Sequence, residues 1–300
     1  MTGGRVTLHR PTPALAVGGD PVVLSAADAG WAFCGLEVLR LAPGRTRVLA
    51  TGEAERAVLP LAGALTVEVE GRRFGLTGRE SVFAAVTDWA YLPIDAEVRL
   101  SSTGGCEVAL PSAKATRRFD PAHIAAEEVP VEVRGAGNAT RQVTNFCAPG
   151  VFDGADRLMC VELLTPDGNW SSYPPHKHDG TDGCLVANEE IYYFRVGRTG
   201  TTGYDPDGFA LHRTYTGDGE IDETVTVHDG DVFLIPRGFH GPCIAAPGYP
   251  LYYLNVLAGP GGERSMAFCD DLSHHWVRAT WDDLPVDPRC PMTGAGGPVR

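Results

Sequence analysis

The sequence of 300 residues has no apolar run that approaches the roughly 18 residues needed to cross a membrane. Residues 1–11 include Arg5 and Arg10 but no apolar core after them, so we expect no secretory signal. The 8 cysteines form no CxxC pair and are irregularly spaced, which argues against a zinc ribbon or a disulfide framework. We therefore expect a cytoplasmic protein with buried, reduced thiols and no membrane partner.

Basic residues are scarce relative to acidic ones. The chain has 25 Lys and Arg against 38 Asp and Glu, a formal net charge of −13. An acidic surface repels phosphate backbones, so nucleic acid is not an expected partner. A pocket of opposite local charge would still allow an anionic small-molecule substrate.

Long stretches of helical periodicity are also missing, and short strand-like segments take their place. Residues 65–69 alternate apolar and polar side chains, and a Glu-Gly turn then predicts a hairpin into residues 72–76. The best predicted helices are short, at residues 121–127 and 270–276. Many short strands separated by turn residues are typical of an all-β sandwich or barrel.

A weak internal repeat divides the chain in two. A turn, an apolar strand and a proline occur at residues 78–93 and again at 229–236. Two copies of one β-barrel unit explain this likeness, and chance similarity between β-rich segments is the alternative. With the join between residues 112 and 138, we predict one domain at 1–125 and a second at 126–300, which ends in a flexible Gly/Pro-rich tail.

Seven of the 9 histidines lie between residues 176 and 275, so any imidazole chemistry belongs to the second half. His176 and His178 are two residues apart, which places both on one face of a strand, about 6–7 Å apart along the chain. Two imidazoles in this arrangement can bind one metal ion, while Lys177 points to the opposite face. For this motif taken alone, an exposed pair in a proline-bounded loop is the alternative.

Two further residues complete a possible set of metal ligands. Glu190 enters an aromatic strand, where a buried carboxylate needs a cation or a hydrogen-bond donor. Glu190 shares a face with alternate aromatic residues of this strand, so we choose it over Glu189, which stays the competing ligand. A turn, an apolar strand and a Pro-x-Gly corner then present His240. Three histidines and one carboxylate suit zinc, manganese, iron, cobalt or nickel.

The order His-x-His, Glu, Gly-x5-Pro-x-Gly, His resembles the double motif of the cupins. The spacing from His178 to Glu190 is longer than is usual in cupins, and the spacing from Gly238 to His240 is shorter. Both departures fit the 5-deoxy-glucuronate isomerases of myo-inositol catabolism, the IolB type, which are related to the 4-deoxy-uronate ketol-isomerases. The resemblance runs from about Trp31 to Trp276 and is carried by residues 168–179, 189–193 and 251–259.

This resemblance implies a bicupin fold of two jelly-roll-like β-barrels, with the metal in the second and a degenerate first barrel that packs against it. It also implies an aldose–ketose isomerase that converts 5-deoxy-D-glucuronate to 2-deoxy-5-keto-D-gluconate through an enediolate. One divalent ion (zinc, manganese or iron) would stabilise the negative charge as a Lewis acid. A small sugar-acid substrate and a homo-oligomer are further implications.

The sequence points less sharply to catalytic and substrate-binding residues. His212 is a candidate acid or base because an imidazole titrates near neutral pH. The phenols of Tyr192 and Tyr253 are candidates for hydrogen bonds to sugar hydroxyls, and a structural position in the barrel is the alternative for all three residues. The substrate carboxylate requires a cation, for which the candidates are Arg213, Arg237 and Lys177.

Three other functions compete with this isomerase: isomerisation of another deoxy-uronate, an iron-dependent cupin oxygenase, and a non-enzymatic sugar-binding cupin. An oxygenase requires iron and oxygen, whereas an isomerase works anaerobically and accepts redox-inert zinc. A sugar-binding protein holds its ligand without turnover. The sequence has no evident basic helix-turn-helix segment, which weakens a DNA-binding version of the third function.

Overall fold

A computed structural model describes residues 7–299, so the expected lack of a secretory signal at residues 1–11 lies largely outside the described residues. The helices of the described chain are short: α1 (Ala26–Ala29) and the 3-10 helices Ala126–Glu128, Gly137–Ala139 and His275–Asp283. Within residues 7–299, no helix is long and apolar enough to span a membrane.

Strands make up most of the regular structure. In the first half these are β1 (His9–Arg10), β2 (Val22–Leu24), β3 (Cys34–Leu41), β4 (Arg45–Ala50), β5 (Ala54–Val69), β6 (Arg72–Arg79), β7 (Trp89–Leu92), β8 (Glu97–Ser102), β9 (Cys106–Lys114) and β10 (Ala122–Ile124). In the second half they are β11 (Val131–Arg134), β12 (Arg141–Cys147), β13 (Met159–Thr165), β14 (Trp170–Ser171), β15 (His176–Lys177), β16 (Glu189–Val196), β17 (Ala210–Tyr215), β18 (Asp222–Val227), β19 (Val232–Ile235), β20 (Phe239–Ala245), β21 (Leu251–Ala258), β22 (Cys269–Asp270), β23 (Thr293–Gly294) and β24 (Gly297–Pro298).

These strands form the sheets of two units, which confirms the all-β class. The first half forms a sheet in the order β10-β7-β5-β9-β3-β2, to which β4, β6 and β8 attach. The second half forms a sheet in the order β1-β19-β16-β21-β13-β12-β11 and another in the order β18-β17-β20-β15-β22, with β14 on β20. Because β1 pairs with β19, the N-terminal segment crosses to the second half, and the domain division at residue 125 stays a prediction.

The hairpin of β5 and β6 shows how the sequence sets the local structure. Leu65, Val67 and Val69 are buried, and the polar residues between them are partly exposed. Glu70 and Gly71 then take positive φ angles of 51° and 74°, which suit a tight two-residue hairpin turn. The predicted hairpin is confirmed by the pairing of β5 with β6.

One apolar cluster joins the two halves of the chain. It includes Leu36 and Tyr91 from the first sheet together with Tyr193 and Leu254 from the second half. Polar groups also cross this interface: the buried carboxylate of Glu55 accepts hydrogen bonds from three consecutive backbone N–H groups, at residues 156–158. The first unit therefore packs directly against the unit that carries the histidines.

The predicted helices require correction. Residues 122–124 form β10 instead of a helix, because they pair with β7. The second predicted helix begins only at His275. The tail is attached at one point, where the side-chain oxygen of Gln142 accepts hydrogen bonds from the backbone N–H groups of Met292 and Thr293, and its expected flexibility stays a prediction.

The expectation of reduced thiols holds for part of the cysteine set. Among residues 7–299, six cysteines are free and buried, but Cys184 and Cys269 form a disulfide. These two residues are 85 positions apart in sequence. They meet because Cys269 pairs with Lys177 across β22 and β15, and the sulfur atom of Cys184 lies 3.3 Å from the carbonyl oxygen of Lys177.

Candidate metal centre

Three strands of the second half position the proposed ligands. His176 lies on β15 directly opposite His240 on β20. His178 follows β15, and Glu190 is the second residue of β16 in the facing sheet. The two sheets therefore bring three histidines and one carboxylate to a common region between them.

The side chains of this group, which we call the His/Glu cluster (His176, His178, Glu190 and His240), lie close together. One carboxylate oxygen of Glu190, Oε2, is 3.0 Å from Nε2 of His178 and 3.0 Å from Nε2 of His240. The ligand atoms of these three residues all lie within 4.8 Å of one another. His176 is at the edge of the cluster, with its ring centroid 4.5 Å from that of His240 and 6.5 Å from that of His178.

The two adjacent glutamates face in opposite directions. Glu190 faces the histidines, while Glu189 accepts hydrogen bonds of 2.7 to 2.9 Å from the backbone N–H groups of three residues in the first half, Ala32, Phe33 and Cys34. Glu189 therefore fixes the contact between the two units, and Glu190 supplies the carboxylate of the cluster.

The cluster shifts the protonation of its own members. Burial by itself would raise the pKa of Glu190, but the imidazoles of His240 and His178 outweigh it and lower that pKa well below its usual range. Burial would lower the pKa of His178, yet the hydrogen bond and charge of Glu190 raise it. Burial and the neighbouring imidazoles lower the pKa of His176. The cluster thus holds an ionised carboxylate that attracts one positive charge, either a proton or a metal ion.

The hydrogen bonds of the imidazoles suit metal binding. Nδ1 of His176 is 3.2 Å from the carbonyl oxygen of Pro174, and Nδ1 of His240 is 3.3 Å from that of Gly238. A carbonyl oxygen accepts, so each Nδ1 carries the hydrogen and each Nε2 keeps its lone pair, as is usual for metal-binding histidines. Within residues 7–299, the buried Nε2 of His240 makes no hydrogen bond, and with the hydrogen on Nδ1 its lone pair faces Oε2 of Glu190 at 3.0 Å. A cation would satisfy this lone pair.

Asn255 on β21 fixes the carboxylate of the cluster. Its side-chain Nδ2 donates a 2.9 Å hydrogen bond to Oε1 of Glu190, which leaves Oε2 facing His178 and His240. The Oδ1 atom of Asn255 is buried and has no hydrogen-bond partner among residues 7–299. Sequence reasoning did not single out Asn255, although it lies in the 251–259 segment that carries the family resemblance.

The cluster opens into a cavity of about 560 Å³, a volume within the range of small-molecule sites. Its wall combines polar residues with apolar and aromatic ones. The lining residues include Ser172, His176, His178, Glu190, Asn255, Arg134, Arg141, Arg278, Phe268 and Trp281.

His212 lies outside the lining of this cavity, so the structure does not support the expected role of general acid or base. It is buried in the barrel, where Nε2 lies 2.9 Å from the Thr214 hydroxyl and Nδ1 lies 3.2 Å from the Cys243 sulfur. Burial and the nearby imidazole of His240 lower its pKa to about 3. His212 is therefore a neutral core residue at neutral pH.

The two predicted tyrosines also lie behind the cavity wall. Both are fully buried, and burial raises their pKa values well above 10. The Tyr253 hydroxyl is 2.5 Å from the hydroxyl of Ser171 and 2.8 Å from that of Ser172, and the Tyr192 hydroxyl is 3.3 Å from that of Ser172. The phenols therefore support Ser172, which does line the cavity, and their expected contact with sugar hydroxyls is not supported.

The three cations predicted for the substrate carboxylate lie elsewhere on the second unit. Lys177 donates to Thr181 and Asp182, and Arg213 pairs with Asp222. Arg237 pairs with Asp218 and Glu220. Each of these cations is paired with acidic residues and is absent from the cavity lining, so the structure does not support their predicted contact with the substrate. Arg134, Arg141 and Arg278 line the cavity instead, and no local sequence signal marks them.

A pair of packed β-barrel units, with a histidine and glutamate cluster in the second, defines the chain as a bicupin. The L. farciminis oxalate decarboxylase–formate complex has this fold: its TM-score is 0.61 at 14% identity, over 87% of this chain and 88% of that one. At that identity the likeness concerns the fold alone.

More specifically, the chain belongs to the KduI/IolB family, whose model matches residues 13–277. A 5-deoxy-glucuronate isomerase from Geobacillus kaustophilus (strain HTA426) is 38% identical over 262 residues, which cover 86% of this chain and 91% of that protein. The crystal structure of an IolB-like protein from Salmonella typhimurium LT2 has a TM-score of 0.80 at 33% identity, over 90% of this chain and 99% of that one.

Proposed function

We propose that this chain is an aldose–ketose isomerase that converts 5-deoxy-D-glucuronate to 2-deoxy-5-keto-D-gluconate. Its membership of the KduI/IolB family, among relatives named 5-deoxy-glucuronate isomerase, carries this proposal. The His/Glu cluster at the wall of a cavity of suitable size supports it.

His176, His178, Glu190 and His240 are the residues that would hold one divalent ion, zinc, manganese or iron. When bound, the ion would supply Lewis-acid stabilisation of the negative charge that develops as the carbon-bound proton leaves. The free lone pair of His240 and the ionised carboxylate of Glu190 support this assignment.

The chain's other residues prepare the site for this chemistry. Asn255 holds Glu190 in one orientation, so that the carboxylate does not have to reorganise when charge develops nearby. Phe268 and Trp281 add aromatic surface to the wall of the cavity. Ser172, whose hydroxyl lies within hydrogen-bond distance of the Tyr192 and Tyr253 hydroxyls, forms part of the cavity wall.

The reaction is tested by NMR with 5-deoxy-D-glucuronate in D₂O, without oxygen, using protein loaded with zinc. We expect conversion to the ketose in step with the loss of the aldehyde signal, because isomerisation needs neither oxygen nor a redox-active metal. A requirement for oxygen together with iron would favour the oxygenase instead. Binding without conversion, whichever of the three metals is loaded, would favour a sugar-binding protein.

The proposal extends to the organisation of the chain. The pairing of β2 to β10 in one sheet supports a degenerate first unit that ends near residue 125. A homo-oligomer in the cytoplasm stays a prediction, and light scattering of the purified protein would measure its subunit number.

A further inference from the structure

Three arginines line the cavity, and two of them are already paired with carboxylates. Arg134 donates two 2.8 Å hydrogen bonds to Glu132. Arg278 donates hydrogen bonds of 2.5 Å and 2.7 Å to Asp270. Arg141 is the third, and it has no carboxylate partner among residues 7–299.

The Arg141 side chain is buried without its charge being neutralised. The residue is 7% exposed, and its polar contact is a 3.1 Å hydrogen bond from Nη1 to the carbonyl oxygen of Ala139. Its Nε atom is buried and has no hydrogen-bond partner within the described chain. Burial lowers the pKa of Arg141 to about 10, so the guanidinium is still charged at neutral pH. A buried, unpaired cation is costly unless an anion arrives to pair with it.

The strand pattern directs Arg141 towards the same cavity as the His/Glu cluster. Alternate residues of β12, Arg141 and Val143, line the cavity, as do Val161 and Leu163 on β13. The next strand of this sheet, β21, contributes Asn255, which contacts Glu190. Because alternate side chains of neighbouring strands share one face of a sheet, Arg141 and Glu190 belong to a single concave surface.

We propose that Arg141 binds the carboxylate of the sugar-acid substrate and thereby selects uronates over neutral sugars. The inference rests on the proposed function. Arg141 lines the cavity, and a guanidinium carries parallel N–H donors, the arrangement that recognises a carboxylate in a bidentate manner. The ring centroid of Trp281 is 5.7 Å from the guanidinium carbon, so the aromatic ring packs near the cation. When Arg141 binds the carboxylate end of the substrate, the aldehyde end is free to reach the His/Glu cluster.

The test compares Arg141→Met and Arg141→Lys with the wild type, on 5-deoxy-D-glucuronate and on 5-deoxy-D-glucose, which has a CH₂OH group in place of the carboxylate. In Arg141→Met we expect KM for the uronate to rise roughly ten-fold or more and the preference for the uronate to shrink by a similar factor. Arg141→Lys keeps the positive charge but loses the paired N–H donors of the guanidinium, so an intermediate KM is expected. Arg213→Met, which removes a surface arginine paired with Asp222, is the matched control and keeps the wild-type KM.

Two further measurements separate this inference from its premises. Thermal unfolding of Arg141→Met shows no loss of stability if the residue serves the substrate, because the substitution removes an unpaired buried charge. Calorimetric binding of the uronate to metal-free protein tests Arg141 even when turnover is absent. If Arg141→Met turns over the uronate with an unchanged KM and an unchanged preference for the uronate, the inference about Arg141 is overturned and the proposed function stands. If the wild type binds the uronate without converting it and Arg141→Met does not bind it, the inference about Arg141 is upheld and the isomerase is rejected. A wild type that neither binds nor converts the uronate would overturn both.

Discussion

Glu190 is held at both of its carboxylate oxygens: the Asn255 amide donates to Oε1, and the His178 imidazole is hydrogen-bonded to Oε2, which also faces Nε2 of His240 at 3.0 Å. For individual residues, the sequence predicts those site positions that depend on neighbours close along the chain. A period of two residues placed His176 and His178 on one face, and the aromatic strand selected Glu190. Asn255 and Arg141 carry no such signal, because their roles arise only when distant strands meet.

Asn255→Leu is expected to weaken metal binding 10- to 100-fold, because Glu190 loses the donor that orients it. The side chain of leucine has a similar size, so the strand pairing of β21 is preserved. Competition with a chelating dye would measure the affinity, and circular dichroism would check the fold. An affinity equal to that of the wild type would show that Asn255 does not position Glu190.

His212 makes the stability of the metal-free protein depend on pH. Its pKa is about 3 in the folded chain and near 6.5 when unfolded, so between these values the unfolded chain binds a proton that the folded chain does not. This contribution to stability is complete above about pH 6.5 and is lost as the pH falls towards 3, by about 1.4 kcal/mol per pH unit.

Denaturant unfolding of the wild type and of His212→Gln, both with chelator, would measure this effect at pH 7, 6 and 5. We expect the free energy of unfolding to fall more steeply with acid in the wild type. Parallel curves for the two proteins would mean that His212 does not account for the acid sensitivity.

Strand β20 is the element that places His240, and a close backbone contact sets its position. Gly241 has a φ of +87°, and a Cβ atom there would lie 1.8 Å from the carbonyl oxygen of Ser172. Only a glycine allows β20 to approach the segment before β15 so closely. The sequence predicted the Pro-x-Gly corner before this strand but not the contact, since Ser172 is far from Gly241 along the chain.

Gly241→Ala should therefore destabilise the fold and reduce metal affinity, because the backbone next to His240 must shift. Gly248→Ala is the matched control: its φ is +88°, and a Cβ atom there meets nothing within 4 Å. The control is expected to cost about 1–2 kcal/mol for the left-handed conformation alone. Equal losses in denaturant unfolding for the two variants would contradict a steric role for Gly241.

In the whole molecule, the first unit is joined to the metal-bearing unit by an apolar cluster and by buried ionic contacts. Arg79 at the end of β6 pairs with Glu162 on β13, with both side chains less than 5% exposed. Glu162 also accepts a 2.8 Å hydrogen bond from the Tyr252 hydroxyl.

The two-unit β architecture could be inferred from the sequence repeat and from turn chemistry. The attachment of the tail to Gln142, the crossing of β1 and the Cys184–Cys269 disulfide could not, because each depends on long-range pairing that local patterns do not encode.

Arg79→Met leaves the carboxylate of Glu162 buried without a cation and is expected to lower the free energy of unfolding by about 3–5 kcal/mol. The double variant Arg79→Met, Glu162→Leu removes both charges and should recover most of this loss. Denaturant unfolding of both variants provides the comparison. A double variant as unstable as the single one would indicate that apolar packing, and not the ion pair, governs this interface.

The binding of one divalent ion by the His/Glu cluster is tested by elemental analysis of protein equilibrated with zinc, manganese or iron and then freed of unbound metal. We expect about one ion per chain in the wild type and in Glu189→Gln, whose carboxylate contacts the first unit, and a large loss of metal in Glu190→Gln. Equal metal content in Glu190→Gln and the wild type, or a wild type that retains none of the three metals, would contradict the assignment.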